Sequence, residues 1–140
     1  MQRKGSAVWQ GGLKDGNGRV STGSGGLKDA SYTFASRFES GGKTDPEELI
    51  AAAHAACFSM ALSGQLGQAN LKAEQISTTA TVNLEKTDAG MTVTAVHLAV
   101  KAKIPGADKG AFDKAASNAK AGCPISRLLN AKISMDAVLE

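Results

Sequence analysis

The chain has 140 residues, a length that suits a single domain with a hydrophobic core of ordinary size. Hydrophobic residues make up 42% of it, which excludes a disordered chain, and aromatic residues make up only 4%. The net charge of +3 comes from basic residues scattered along the chain, a pattern that argues against a nucleic-acid-binding surface.

Three sequence features bear on cellular location. The N-terminal stretch MQRKGSAVWQ carries two basic residues but lacks the apolar segment of a secretory signal. No window approaches 18 apolar residues, so we expect no contact with a membrane. The two cysteines, Cys57 and Cys123, are not the framework that is typical of a secreted disulfide protein. We therefore expect a cytoplasmic protein whose thiols are reduced or cycle between states.

The first 42 residues contain ten of the 16 glycines, which separate three short strand-like segments. The segments are 6–10, 18–24 and 31–38. Short strands joined by glycine turns predict an antiparallel meander. In the third segment, Tyr32, Phe34 and Phe38 alternate onto one face of a strand. The opposite face of that strand would carry Arg37.

A long helix is predicted to begin at the sequence DPEEL. Asp45 suits the N-cap, Pro46 the first helical position and Glu48 the third position of a capping box. Alanine-rich sequence continues the helix, and Gly67 would end it. One face carries mostly small apolar residues: Leu49, Ala53, Ala56, Cys57, Met60 and Gly64. Because small side chains allow another element to approach closely, we expect this helix to be central and buried.

Two long strands are predicted to follow the helix as a hairpin. Residues 76–84 alternate between apolar and polar side chains, and the turn sequence TDAG begins at Thr87. The second strand, 91–104, changes the phase of its alternation near Ala95 and Val96. Such a change indicates a β-bulge.

The remainder of the chain predicts a second helix, a helical turn and a last strand. The helix runs over about residues 108–120 and ends at Gly122. Its expected inward residues are Phe112, Ala115, Ala116 and Ala119. Pro124 begins the helical turn, and residues 132–139 form the strand. The order of elements predicts an α+β fold, with residues 1–140 as a single domain.

Both cysteines are candidate reactive groups. Cys57 lies in the middle of the alanine-rich helix. Cys123 directly precedes Pro124, where free backbone N–H groups and a helix N-terminus favour a thiolate. The alternative is that both cysteines are inert core residues, since free cysteine is among the most buried residue types.

The histidines add two further alternatives. His54 lies three residues before Cys57 and is therefore its neighbour on the helix surface. With Cys123 and His97, these residues would make a Cys/His metal site, although the spacing typical of zinc sites is absent from the sequence. A Cys–His nucleophile pair of the protease type is the other alternative, without a visible oxyanion-hole motif.

The charged candidates are Arg37 and the two glutamates at the start of the long helix. An ordinary surface arginine is the alternative for Arg37. Capping and the helix dipole account for Glu48. Glu47 is less well explained by a structural role.

Five segments, taken in order, resemble the OsmC/Ohr superfamily of thiol-dependent peroxidases. They are SYTFASRFES with its arginine, TDPEEL, AAAHAACFSMAL, the hairpin turn TDAGMTV, and AGCPIS. The likeness covers nearly the whole chain. It is closer to the OsmC branch, because the Ohr branch generally has an aromatic residue where His54 stands.

The resemblance implies a fold and a set of site residues. The fold would have antiparallel sheets packed around a central buried helix, in an intertwined homodimer with two active sites at the subunit interface. Cys57 would be the peroxidatic cysteine and Cys123 the resolving one. Arg37 and Glu47 match the arginine and glutamate that hold the reactive thiolate in the family. Neither a metal nor a bound cofactor is implied.

The implied function is an antioxidant peroxidase of the stress response. Cys57 would reduce organic hydroperoxides, and inorganic ones more slowly, and would then form a disulfide with Cys123. An external dithiol, which in the family can be a lipoylated protein, would recycle the enzyme. The alternatives are a redox-sensing thiol module without fast turnover, and a structural oligomer with inert cysteines.

Overall fold

The computed structural model of the chain describes residues 1–39 and 42–140. The chain divides into two compact units, Met1–Leu49 and Ile50–Glu140. Each unit contains one three-stranded sheet. The α+β class is confirmed, whereas the interpretation of 1–140 as a single domain stays a prediction.

The first unit contains the predicted antiparallel meander. Its strands are β1 (Gly5–Gln10), β2 (Asn17–Thr22) and β3 (Ala30–Tyr32), in that order across the sheet. The rings of Trp9 and Tyr32 lie against each other, with centroids 5.5 Å apart. Gly18 lies beneath them, because a Cβ there would stand 2.4 Å from the Tyr32 ring and 2.8 Å from the Trp9 ring. A glycine at this position is what allows the two aromatic side chains to meet.

The third predicted strand is wrong beyond Tyr32. A short helix, α1 (Phe34–Phe38), follows β3 directly. The Thr33 hydroxyl accepts from the Ser36 N–H at 3.1 Å, and the Ser36 hydroxyl accepts from the Thr33 N–H at 2.8 Å. This reciprocal cap satisfies donors at the start of the helix and turns the chain out of the strand. Arg37 therefore lies on a helix and not on a strand.

The long helix, α2 (Pro46–Gln68), begins where the sequence predicted. The Asp45 carboxylate accepts from the Glu48 N–H at 2.8 Å, and the Glu48 carboxylate accepts from the Thr44 hydroxyl at 2.8 Å. The helix ends one residue beyond the predicted Gly67. Asn70 adopts a left-handed conformation there (φ 57°). Its N–H donates to the Gly67 carbonyl, and the Leu71 N–H donates to the Leu66 carbonyl, as in a Schellman motif.

The buried face of α2 differs from the predicted one. Its fully buried side chains lie four residues apart: His54, Phe58, Leu62 and Leu66. Phe58 and the two leucines join the core of the second unit with side chains of β5 and α3. The small-residue face is largely exposed in the single chain, and Met60 on it is 77% exposed. The face of α2 with large side chains packs into the core, so the face with small side chains is left on the surface of the single chain.

Among the described residues, α2 is the one helix long and apolar enough to cross a bilayer by length and composition. Its most apolar 18-residue window has a mean hydropathy of 1.4. The prediction that no segment contacts a membrane was based on runs of consecutive apolar residues, and a mean over the window detects α2 where such runs do not. Of that window 22% is buried, and Phe58, Leu62 and Leu66 on α2 belong to the hydrophobic core of the second unit. The absence of membrane contact stays a prediction.

The second unit contains a mixed sheet and two further helices. Its other elements are β4 (Gln75–Thr87), β5 (Gly90–Lys103), α3 (Lys109–Gly122), α4 (Pro124–Leu128) and β6 (Lys132–Leu139). β4 and β5 form the predicted antiparallel hairpin. The register shifts where Asn83 pairs with Ala95 and Leu84 with Val93, so Thr94 is the extra residue of the predicted bulge. β6 pairs parallel with β5, because α3 and α4 form the crossover between them.

Candidate active site

Cys57 and Cys123 are joined as a disulfide in the second unit, with Cα atoms 6.0 Å apart. Cys57 is partly buried on α2, and Cys123 is completely buried. Cys123 ends α3, where its N–H donates to the Ala119 carbonyl, and it also begins α4 ahead of Pro124. The fold therefore brings together two thiols that are 66 residues apart in the sequence.

A second link, which the sequence did not predict, joins the same two segments. His54 Nε2 lies 2.7 Å from the Ser126 hydroxyl oxygen, and both residues are buried. Burial lowers the pKa of His54, so its imidazole is neutral at physiological pH. The available sequence signal was the spacing: His54 is three residues before Cys57, and Ser126 is three residues after Cys123.

In the first unit, Arg37 and Glu47 form a fork-to-fork ion pair. Arg37 Nη2 lies 2.6 Å from Glu47 Oε1, and Arg37 Nε lies 3.0 Å from Glu47 Oε2. These hydrogen bonds, with the neighbouring negative charge of Asp45, raise the pKa of Arg37 further above its usual range. The Glu47 side chain is 12% exposed, whereas that of Arg37 is 38% exposed. The carboxylate thus holds a planar cation that remains partly open to solvent.

An apolar cavity of about 240 Å³ borders Arg37 within the first unit. Its walls include the side chains of Trp9, Leu13, Phe34 and Phe38. Phe34 and Phe38 lie one helical turn apart on α1, with ring centroids 4.7 Å apart, and the Arg37 guanidinium lies 5.3 Å from the Phe38 ring centroid. The cavity therefore combines an aromatic wall with a permanently charged donor group.

The metal-site alternative receives no support from the two histidines. His97 on β5 lies 2.7 Å from the Ser134 hydroxyl and 3.1 Å from the Asp136 carboxylate, both on β6. His54 bonds to Ser126. Within residues 1–39 and 42–140, no three His, Cys, Asp or Glu side chains form a group suited to a metal ion. The expectation that the protein uses no metal or cofactor stays a prediction.

Comparison with known proteins identifies the family. The family model for OsmC-like proteins matches residues 39–137. The chain belongs to the OsmC family. This OsmC-family protein is 49% identical over 140 residues to a protein named Peroxiredoxin OsmC from Escherichia coli (strain K12), across 100% of this chain and 98% of that one. The predicted enzyme class, a cysteine-based peroxidase, is confirmed by this relative.

Two solved structures illustrate how far the fold is shared. An organic hydroperoxide resistance protein OsmC from Legionella pneumophila is 28% identical, with a TM-score of 0.70 over 95% of this OsmC-family chain and 96% of that chain. An OsmC-like protein of unknown function from Vibrio cholerae is 15% identical, with a TM-score of 0.80 over 99% of both chains. The second comparison concerns the fold alone, and it confirms the predicted OsmC-like architecture.

Proposed function

We propose that this protein reduces organic hydroperoxides to alcohols, with Cys57 as the nucleophile and Cys123 as the resolving cysteine. The observation that carries the proposal is the Cys57–Cys123 disulfide. The Cys57 thiolate attacks the terminal peroxide oxygen, the O–O bond breaks, and the alkoxide leaves and takes up a proton. Cys57 then carries a sulfenic acid. The Cys123 thiol attacks that sulfur, which forms the disulfide and releases water.

Arg37 and Glu47 are proposed to activate the thiolate. A guanidinium keeps its charge at all physiological pH values, and its planar fork can donate to the thiolate and to a peroxide oxygen at the same time. The hydrogen bonds that Arg37 donates to the Glu47 carboxylate support this role because they hold the fork in one orientation. The neutral imidazole of His54 adds no positive charge to the thiolate.

An organic substrate is favoured by the cavity beside Arg37. Aromatic and aliphatic side chains line it, so it would remove the apolar group of a hydroperoxide from water, an interaction that hydrogen peroxide cannot make. The name of the Legionella relative, an organic hydroperoxide resistance protein, points to the same substrate class.

A homodimer is proposed to complete the active site. Ten residues separate Glu47 from Cys57 on α2, which corresponds to about 15 Å along a helix axis and to faces about 80° apart. A glutamate side chain cannot span that distance, so the Glu47 and Arg37 that serve one Cys57 would belong to a second copy of the chain. The exposed small-residue face of α2, with Ala53, Ala56 and Gly64, is suited to close approach of that copy.

A dithiol is proposed as the reductant, in the cytoplasm. It would open the Cys57–Cys123 disulfide by exchange through a mixed disulfide. A lipoylated protein is the candidate donor, because a dihydrolipoyl group closes to its own cyclic disulfide as it releases the enzyme thiols.

A steady-state peroxidase assay tests the proposed function. Cumene hydroperoxide and hydrogen peroxide are compared at equal concentrations, with dihydrolipoamide as the reductant. We expect continuous turnover with both and a higher kcat/KM for cumene hydroperoxide. A single oxidation equivalent per subunit, with no further consumption, would instead identify a redox-sensing module. Equal kcat/KM values would overturn the organic preference.

A further inference from the structure

We propose that His54 and Ser126 form a clasp that keeps Cys123 within reach of Cys57 while the disulfide is open. This makes them positioning residues for the resolving step, and the inference rests on the proposed role of Cys123. Neither residue is proposed to contact the peroxide or to take part in bond making.

The clasp and the disulfide are two adjacent links between the same segments. His54 and Cys57 are one turn apart on α2, and Cys123 and Ser126 are one turn apart at the start of α4. The His54–Ser126 contact of 2.7 Å therefore lies beside the disulfide, with the two segments running in opposite directions. When the disulfide is reduced, the clasp remains.

The α4 segment depends on such a link. It has five residues, and its N-cap, Cys123, makes no side-chain capping bond. Isolated helices of this length are not stable in water, so tertiary contacts must hold it in place. Among the hydrogen bonds of the described residues, His54–Ser126 is the one that joins side chains of α2 and α4.

Burial makes an open clasp unfavourable. His54 is 0% exposed and Ser126 is 8% exposed. Among the described residues, His54 Nδ1 has no hydrogen-bond partner, so the ring already holds one unpaired polar atom. Loss of the Ser126 contact would leave both ring nitrogens unpaired in the protein interior, and each unpaired group is costly. The closed clasp is therefore the favoured state whether the thiols are oxidised or reduced.

The clasp has a chemical consequence for the sulfenic acid on Cys57. That sulfenic acid either condenses with the Cys123 thiol, with release of water, or reacts with a second hydroperoxide to give a sulfinic acid and an alcohol. Condensation wins when Cys123 is held close, because a constrained thiol has a high effective concentration. The clasp thus favours the reversible product.

The first test measures the equilibrium between the Cys57–Cys123 disulfide and dithiothreitol, which requires no peroxidase activity. Ser126→Ala removes the hydroxyl, and His54→Asn keeps an amide near the Nδ1 position but cannot reach Ser126. Without the bond, the reduced segments can separate, whereas the disulfide still holds the oxidised ones together. Each variant should therefore make the disulfide easier to reduce, by up to about fivefold, the size of one lost hydrogen bond. Ser126→Thr keeps the hydroxyl, and His54→Gln places its amide near the Nε2 position, so both should remain near the wild-type value.

Thr78→Val is the matched control. It removes a comparable hydroxyl contact, the 2.8 Å bond between Ser59 on α2 and Thr78 on β4, on another side of the same helix. Its disulfide equilibrium and turnover should equal those of the wild type. An equal shift in Thr78→Val and Ser126→Ala would overturn the clasp, because a general loosening of α2 would then explain both.

The second test separates the two chemical steps. In Ser126→Ala, sulfenic acid formation with one equivalent of cumene hydroperoxide should keep its rate, while disulfide formation slows about fivefold and sulfinic acid accumulates at excess peroxide. A wild-type rate of disulfide formation in both Ser126→Ala and His54→Asn would overturn the clasp. Failure of the proposed function has a different result, namely wild-type turnover in Cys123→Ser.

Discussion

Arg37 donates two hydrogen bonds to the two carboxylate oxygens of Glu47, from Nη2 to Oε1 at 2.6 Å and from Nε to Oε2 at 3.0 Å. The two residues come from different helices, α1 and α2, and each is placed by a helix cap. Thr33 caps the helix that carries Arg37, and Asp45 caps the helix that carries Glu47. The orientation of the guanidinium is therefore determined by the backbone as well as by charge.

The first prediction concerns the fork of Arg37. Arg37→Lys keeps the charge but loses the paired donors, so the reaction of Cys57 with cumene hydroperoxide should slow. A hydrogen bond to a charged group contributes about 1.5–3 kcal/mol, equal to roughly one to two decades in rate. Stopped-flow measurement of peroxide consumption by the reduced protein checks this. Arg19→Lys, at an exposed arginine of the same unit that donates to the Asp29 carbonyl, is the matched control.

If Arg37 is the cation that stabilises the Cys57 thiolate, as proposed, Arg37→Ala should also move the pH profile of Cys57 alkylation to higher pH. Iodoacetamide labelling followed by mass spectrometry reports this profile. A profile that coincides with that of the wild type would contradict the proposed role of Arg37.

The second prediction distinguishes the two cysteines. Cys57→Ser should abolish peroxide reduction while the fold is retained, because the substitution is nearly isosteric. Cys123→Ser should consume one equivalent of peroxide and then hold a sulfenic acid on Cys57, which dimedone labels. Mass spectrometry of the labelled protein checks both. Retention of peroxidase activity within a few-fold in Cys57→Ser would exclude it as the nucleophile.

The third prediction is that two chains share each active site. Cys57→Ser and Glu47→Ala proteins should each be inactive, but mixing them under conditions that exchange subunits should restore about a quarter of the wild-type activity. Half of the dimers are then mixed, and each mixed dimer has one complete site.

A matched mixture strengthens this test. The double variant Cys57→Ser/Glu47→Ala, mixed with an equal amount of wild type, should reduce the wild-type activity to about half, since mixed dimers have no complete site. Unchanged activity would mean that Glu47 and Cys57 act within one chain. A fully active monomer on a sizing column would contradict the shared site equally.

The fourth prediction follows from the buried imidazole of His54. Burial lowers the pKa of His54 in the folded state below its ordinary value of 6.5. The unfolded chain therefore binds the proton first as the pH falls below about 6.5, and the free energy of unfolding decreases in that range. Above about pH 6.5, His54 is neutral in both the folded and the unfolded state, and the free energy of unfolding no longer depends on its protonation. At one pH unit below 6.5, a buried histidine that stays neutral in the folded state lowers the free energy of unfolding by up to about 1.4 kcal/mol.

Urea unfolding of the oxidised protein at pH 7.5 and pH 5.5 measures this effect. The wild type should lose more stability between the two pH values than His54→Gln, which does not titrate. His97→Gln is the control, because His97 is 40% exposed on the sheet surface. Equal losses in the wild type and His54→Gln would show that His54 does not determine the acid sensitivity.

Local sequence patterns were sufficient for most of the elements. Alternation over 76–84 and 91–104 predicted the hairpin and its bulge, since a strand places successive side chains on opposite faces. The Asp–Pro pair at 45–46 predicted the start of α2 because both residues match the geometry of a helix N-terminus. The prediction of a strand over the α1 segment was wrong because Phe34 and Phe38 fit a strand and a helix equally well. A spacing of four residues is even, as one face of a strand requires, and it also spans about one helical turn.

The site candidates came from residue types and from the resemblance, but their arrangement required the tertiary structure. Two apolar rows run along α2, and helical periodicity identifies both without indicating which one the chain buries. The large side chains of the row through Phe58 are buried because they fill the space beside β5 and α3, which leaves the small residues exposed. The contact between His54 and Ser126, 72 residues apart, depends on the same packing. Sequence alone thus determined most of the elements and the reactive residue types, because both follow from local chemistry. The tertiary structure decided which faces are buried and which distant side chains meet, because both depend on how the elements pack in a common core.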